Sequence, residues 1–300
     1  MKKIVYILIS SLMLFFTPTF VHAQLLMSLY NMKVQQREFN KLRCNMVYVQ
    51  GGSFMMGTNP EKNDGDKGKD DAKPRHKVTV SSFYICKYEV TQALWKAVMR
   101  NNPSKFKGDD LPVEQVSWDD CQQFIRKLNA LTGCEYRLPT EAEWEFAARG
   151  GNSGQGYKYS GSNNIGDVAW YGQEYVGFLS YIDGNSGDKT HPVGSKSPNE
   201  LGLFDMTGNV CEWCSDWYGA YNSNLQSNPT GPKKGTHRIL RGGSWYDDVA
   251  FCTVSYRREY TPDTDSFVLG LRLVSSSDPK SSTPASNMPK APEAPRFGLG

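Results

Sequence analysis

Between Gly151 and Tyr260 the sequence holds neither a helical nor a strand period for long. Gly, Asn, Ser, Asp, Trp and Tyr dominate it. A structureless loop of that length is uncommon inside a compact domain. Aromatic residues make up 12% of the chain, enough apolar surface to pack an irregular wall. The chain must therefore adopt a fold that stays ordered with little regular secondary structure in its second half.

The first half is more regular. "MVYVQGGSFMMGT", Met46 to Thr58, alternates around Gly51-Gly52 and reads as a hairpin. A charged loop follows. "VTVSSFYICKYEVT" reads as one strand, with Val78, Val80, Phe83 and Ile85 apolar. Thr91 is placed to cap a helix over "QALWKAVM". Ser117 is the expected N-cap of the next helix, with Asp119 and Asp120 at the positive end of its dipole. Cys121, Phe124, Ile125, Leu128 and Leu131 form its buried stripe, and Gly133 ends it. In "YRLPTEAEWEFAARGG" a short strand leads to a helix with a Thr140–Glu143 capping box. "FVLGLRLV", Phe267 to Val274, reads as a closing strand.

The ends differ in kind. Lys2 and Lys3, the apolar run Ile4 to Phe16 and the small-residue site before Gln24 spell a secretory signal peptide over 1–23. Its apolar core is shorter than the roughly 20 residues of a membrane span. Residues 24–45 are a lead-in with helical character, 46–275 the folded domain, and 276–300 a Ser/Pro-rich tail expected to be disordered. A periplasmic or secreted location follows, with no membrane span. The formal charge of +3 carries no basic stripe, so no nucleic-acid partner is expected.

An exported chain can form disulfides. All 7 cysteines lie after the signal segment, and an odd number leaves one unpaired or paired to another chain. Cys211 and Cys214 make a CxxC, but aromatic residues surround it rather than the helix start of a redox motif. No further ligands at zinc spacing accompany it.

"RLPTEAEWEFAARGG", "NELGLFDMTGNVCEWCSDWY", "RGGSW" and "GLRLV" occur in order. Together they resemble the sulfatase-modifying-factor domain of formylglycine-generating enzymes, over about Met46 to Val274. The resemblance implies one α+β domain related to the C-type lectin fold, low in regular secondary structure. Formylglycine-generating enzymes oxidise a sulfatase cysteine with copper and oxygen. Other members are iron enzymes, and exported bacterial relatives include secretion-machinery components and ligand-binding variable proteins. Fold alone does not choose among these.

The resemblance maps the oxidase site onto Ser244, Asp247 and Cys252. Asp247 stands where the first copper-binding cysteine belongs, and a carboxylate is a poor donor to soft Cu(I). Cys252 and Ser244 would be catalytic only under the oxidase alternative. Asp247 with two of His76, His191 and His237 is a conceivable iron set that their spacing does not favour. A groove at Trp245, Asp247 and Asp248 is the candidate ligand site, and a Cys214–Cys252 disulfide is compatible with export. The resemblance also implies a structural calcium at Gly208, Asn209, Val210 and Glu212. A second, looser calcium set is Asn164, Ile165 and Asp188. The expected role is a non-copper binding or structural component of an envelope or secreted assembly. The alternative is an oxidase acting on a cysteine-containing peptide.

Overall fold

A computed structural model describes residues 18–58, 70–175, 181–182 and 184–281. Its backbone is a long, bent antiparallel ribbon. Met46–Val49 pairs with Phe83–Cys86, and Gly52–Met56 pairs with His76–Val80. Met46 lies opposite Cys86 and Met56 opposite His76. The expected hairpin inside Met46–Thr58 is therefore corrected: its two arms belong to different sheets. The strand read across 78–86 breaks likewise at Ser81-Ser82. The corner is tight, because a Cβ on Gly51 would lie 2.7 Å from the Ser82 amide nitrogen. The apolar positions move there from even numbers (Val78, Val80) to odd (Phe83, Ile85), so each half still turns its apolar face inward.

The helices follow their caps. Gln92–Met99 starts at Thr91, whose hydroxyl accepts from the Leu94 amide. Trp118–Thr132 opens with a Ser117–Asp120 capping box and closes at Gly133 in the left-handed region, φ 69°. Cys121, Phe124, Ile125 and Leu128 are buried, and Leu131 packs partly exposed against them. Glu141–Ala148 opens with the Thr140–Glu143 box. The lead-in belongs to a helix, Pro18–Cys44, that buries Phe39 and Leu42 in the main core. Gln35 ties it to the Ala97 carbonyl at 2.7 Å. Residues 1–17 of the expected signal peptide and 282–300 of the expected tail lie outside the described residues.

A second sheet orders Arg258–Tyr260, Arg238–Arg241, Cys211–Trp217 and Leu269–Gly270 side by side. The closing segment is not one strand. Leu269–Gly270 runs parallel to Cys211–Glu212, then Val274–Ser275 joins the first sheet between Phe83–Cys86 and Tyr136–Arg137. The irregular half is held by indoles whose N–H groups reach fixed acceptors. Trp213 donates to the Val116 carbonyl and Trp245 to the Phe267 carbonyl, at 3.0 and 3.1 Å. Buried aromatics with satisfied N–H groups do here what backbone ladders do in regular folds.

Candidate functional site

The strand Arg238–Arg241 delivers the chain to Gly242 and Gly243, at φ 94° and 71°. These values favour glycine. A Cβ on Gly243 would also stand 2.6 Å from Cys252 Sγ, so the turn and the thiol are packed as a unit. Ser244 is fully buried and donates its hydroxyl to Asp247 Oδ2 at 2.5 Å.

Asp247 is not a solvated loop carboxylate. It is buried, and Arg258 from the neighbouring strand grips both its oxygens, Nη2 to Oδ1 at 2.5 Å and Nη1 to Oδ2 at 3.1 Å. Cys211 donates its thiol to Oδ2 at 3.7 Å, and Arg258 Nη1 lies 3.5 Å from that sulfur. Cys252 reaches the Asp247 carbonyl at 4.0 Å. Burial, with Asp247 adding to it against the opposing Arg258 charge, pushes the Cys211 thiol up to about 12. Burial, then Asp247 and Cys211, also raises Cys252 well above the ordinary thiol range. Both sulfurs are therefore protonated at neutral pH, and the charge of the cluster is closed between Asp247 and Arg258.

The Gly208–Glu212 loop holds a second polar cluster. Glu212 is buried and saturated, by Arg272 at 2.6 Å and by the Trp144 indole at 2.7 Å. Asn209 donates to Glu89 at 2.7 Å, and the Val210 amide donates to the other Glu89 oxygen at 3.1 Å. Asp205 is buried with one oxygen on the Gly194 amide and the other without a hydrogen bond. Burial pushes Asp205 up to about 6. Burial first, then the Asp205 and Glu212 carboxylates, raises Glu89 well above its ordinary value. Two buried carboxylates that repel one another, one with an orphaned oxygen, are chemically suited to a hard cation such as calcium. Glu212 is not one of them, because its charge is spent on Arg272.

The profile of the sulfatase-modifying factor enzyme 1-like domain matches residues 32–277. The chain belongs to the sulfatase-modifying factor enzyme 1-like family. It is 35% identical to a protein named chaperone protein LppX from Paenibacillus barcinonensis, over 77% of this chain and 89% of that one. It is 38% identical to the formylglycine-generating enzyme of Streptomyces coelicolor, over 56% of this chain and 53% of the enzyme. Among solved structures it is similar to Treponema denticola variable protein 1, with a TM-score of 0.66 at 32% identity, covering 77% of this chain and 95% of that one.

Within the sulfatase-modifying factor family the implied copper site needs a pair of soft thiolates. The residues here do not fit it: the carboxylate at 247 is engaged by a guanidinium, and the thiols are held protonated. Among the described residues no group of three or more His, Cys, Asp or Glu side chains is arranged to hold a metal. The iron set is not assembled either. His191 stacks on Trp170 with ring centroids 3.7 Å apart, His76 packs edge-on to Tyr221, and His237 bonds Thr236.

Other expected groupings are corrected too. Cys214 and Cys252 are both free and sit in different hydrophobic clusters; the cysteine beside the Asp247–Cys252 turn is Cys211. Trp245 is core, and Asp248 caps the turn Val249–Cys252 through the Ala250 amide at 2.8 Å. With Asp247 in its ion pair, the three do not form an open groove. The aromatic that does face solvent is Tyr246, 64% exposed and edge-on to Trp245 and Phe267. In the second calcium set, Asn164 spends its oxygen on the Gly166 amide and its nitrogen on Asp167. Asp188 stands at φ 56°, and among the described residues no hydrogen bond or ion pair joins it to Asn164 or Ile165. Sequence reasoning missed Arg258, Cys211, Glu89 and Asp205. Two of these left a signal: Cys211 as half of the CxxC with Cys214, and Arg258 as half of an Arg257-Arg258 pair that follows an uncharged run.

Proposed function

We propose that this chain is a non-copper binding or structural component of an exported assembly. The observation that carries the reading is the buried Asp247–Arg258 pair in the place of the oxidase's first thiol. A guanidinium paired to the carboxylate at this position supports a site built for charge neutralisation rather than for a soft metal. The similarity to a protein named as a chaperone, over most of both chains, supports a polypeptide partner over a small substrate. Tyr246, exposed beside Phe267, is the residue we assign to that contact.

Two measurements test it together. Under reducing conditions Cu(I) titration should show no tight site, and a sulfatase-derived cysteine peptide should remain unoxidised. Tight Cu(I) binding that disappears in Cys252→Ser would establish the oxidase alternative instead. Crosslinking from an envelope fraction should recover one defined protein, and Tyr246→Ala should weaken its capture while leaving the melting temperature unchanged.

A structural calcium completes the reading. Glu89 and Asp205, with backbone carbonyls of the Gly208–Glu212 loop, would hold it, and the ion would neutralise two buried like charges. Millimolar calcium should then raise the melting temperature, by the linkage of ligand binding to folding. Asp205→Asn should abolish that rise, and a rise that persists in it would move the ion elsewhere.

A further inference from the structure

A cavity of about 330 Å³ opens where the loop 219–232 folds over the helix Glu141–Ala148. That is the lower end of the size range of small-ligand sites. It shares no residue with the Asp247–Arg258 pair. Its floor is a closed ion network. Glu141 accepts from Arg241 at 2.6 Å, from Arg257 at 2.6 and 2.9 Å, and from the Tyr221 hydroxyl at 3.0 Å. Arg257 also donates to the carbonyls of Asp71 and Gly219. These charges are paired with one another, although the buried Arg241 Nε has no hydrogen-bond partner among the described residues.

Asp216 is different. It is 4% exposed and lines the cavity. Oδ2 accepts from the Glu141 amide at 3.1 Å and the Ser215 hydroxyl at 2.9 Å. Oδ1 accepts no hydrogen bond among the described residues. Gly231, at φ 69°, brings its Cα against this carboxylate, and a Cβ there would stand 3.4 Å from Oδ1. A neighbouring cation, Arg238, is clamped between Trp118 and Trp217, 3.8 and 3.4 Å from the ring centroids. It donates to the Ser215 carbonyl at 2.6 Å rather than to Asp216. Asp216 thus has a countercharge nearby but none in contact.

A second acceptor faces the same space. His76 is buried and lines the cavity. Its Nδ1 lies 3.0 Å from the Pro74 carbonyl; in the neutral tautomer that donates to this carbonyl, Nε2 is an acceptor. Trp217, Tyr221, Pro229 and Pro232 supply apolar walls. Two acceptors, one of them a carboxylate lacking a contact cation, between apolar walls call for a ligand that donates several hydrogen bonds, bears positive charge and carries an alkyl stem.

We infer that this cavity binds a primary ammonium group on a flexible alkyl chain, as in a lysine side chain or a free polyamine, with Asp216 as its counter-ion and His76 as a second acceptor. The groups facing Asp216 are Glu141 and Glu143 from the helix, Arg238 and the Cys214 thiol from the sheet, and His76 and Arg257 across the cavity. Burial first, then the Glu141 charge, pushes the Asp216 carboxyl up to about 7. An ammonium binds the ionised form, so affinity should climb as pH rises through that value and level off above it.

The inference stands apart from the proposed function, and copper or crosslinking results leave it untouched. Its test is calorimetric titration of the full chain with Nα-acetyl-lysine methylamide, with 1,5-diaminopentane, and with the norleucine analogue, which lacks the ammonium. Saturable binding of either amine at pH 8 is expected, weaker by about ten-fold at pH 6. The tighter of the two identifies a peptide or a free polyamine as the source. Asp216→Asn should weaken binding by about ten-fold or more. If that variant does not fold, carboxyl NMR of the wild type replaces it, and saturation with amine should lower the Asp216 titration midpoint. No binding at millimolar amine, equal binding of the norleucine analogue, or an unmoved Asp216 midpoint would overturn the inference.

Discussion

Asp247 shows why a substitution in an old active site has to be read with its partner. Alone, a carboxylate in place of a thiol is a lost metal ligand. With Arg258, whose side chain is partly exposed, the buried Asp247 makes a bidentate ion pair and also holds Ser244. Removing one partner of such a pair leaves an uncompensated buried charge, at a cost of about 3–5 kcal/mol. Asp247→Ala should lose stability of that order in denaturant unfolding, and Asp247→Ala with Arg258→Met should recover much of it. Equal losses in the single and double variants would mean that the pair is not coupled. The cysteines give a second residue-scale expectation. Cys44 is exposed and the other six cysteines are buried. A thiol reagent should therefore modify one cysteine per native chain and all seven after unfolding under non-reducing conditions. Two unreactive sulfurs in the unfolded chain would restore the disulfide.

At the scale of elements, caps and stripes were legible where they act over three or four residues. Ser117, Thr140, Thr91 and Gly133 start or stop helices as their chemistry requires. Strand partners were not legible. Gln50-Gly51 and Ser81-Ser82 read as parts of a hairpin and a strand, yet both are corners of one ribbon that changes sheet. Alternation records which face is buried and carries no record of which strand lies alongside. The helix Pro18–Cys44 makes its contribution through its last third. Its residues 22–30 are almost all exposed, whereas Phe39 and Leu42 are in the core. Deletion through Asn31 should leave the unfolding free energy nearly unchanged. Phe39→Ala should cost about 3–5 kcal/mol, as buried aromatic truncations do.

For the whole molecule, buried carboxyl groups of two kinds set the pH dependence of stability. Two arginines beside Glu141 overcome its burial and hold it down to about 2. Its folded value lies below its unfolded value, so its stabilisation is full above about 4.5 and drains away as pH falls toward 2. Asp216 and Glu114 go the other way, each pushed up to about 7, chiefly by burial. Their protonated forms fit the fold. Stability from them is present at low pH and is lost as pH rises from their ordinary values through 7. Across that window each group costs on the order of 1.4 kcal/mol for every ten-fold fall in proton concentration. Denaturation midpoints should therefore peak between about pH 4 and 5 and decline on both sides. A profile that keeps rising to pH 8 would show that these two carboxyls are not buried as protonated acids.

The sequence by itself determined the family, the caps of the helices that follow Thr91, Ser117 and Thr140, the irregular but ordered second half and the absence of a thiol at position 247. Each of these is written in residues close together or in motifs whose order survives in the string. Tertiary structure alone decided that Arg258 neutralises Asp247, that Cys211 is the cysteine next to that pair, that Cys214 and Cys252 stay apart, and that Glu89 and Asp205 repel one another inside the fold. These depend on contacts between residues from eleven to more than a hundred positions apart. Only the closed fold brings such groups within reach of a hydrogen bond, and only burial makes their charges costly enough to matter.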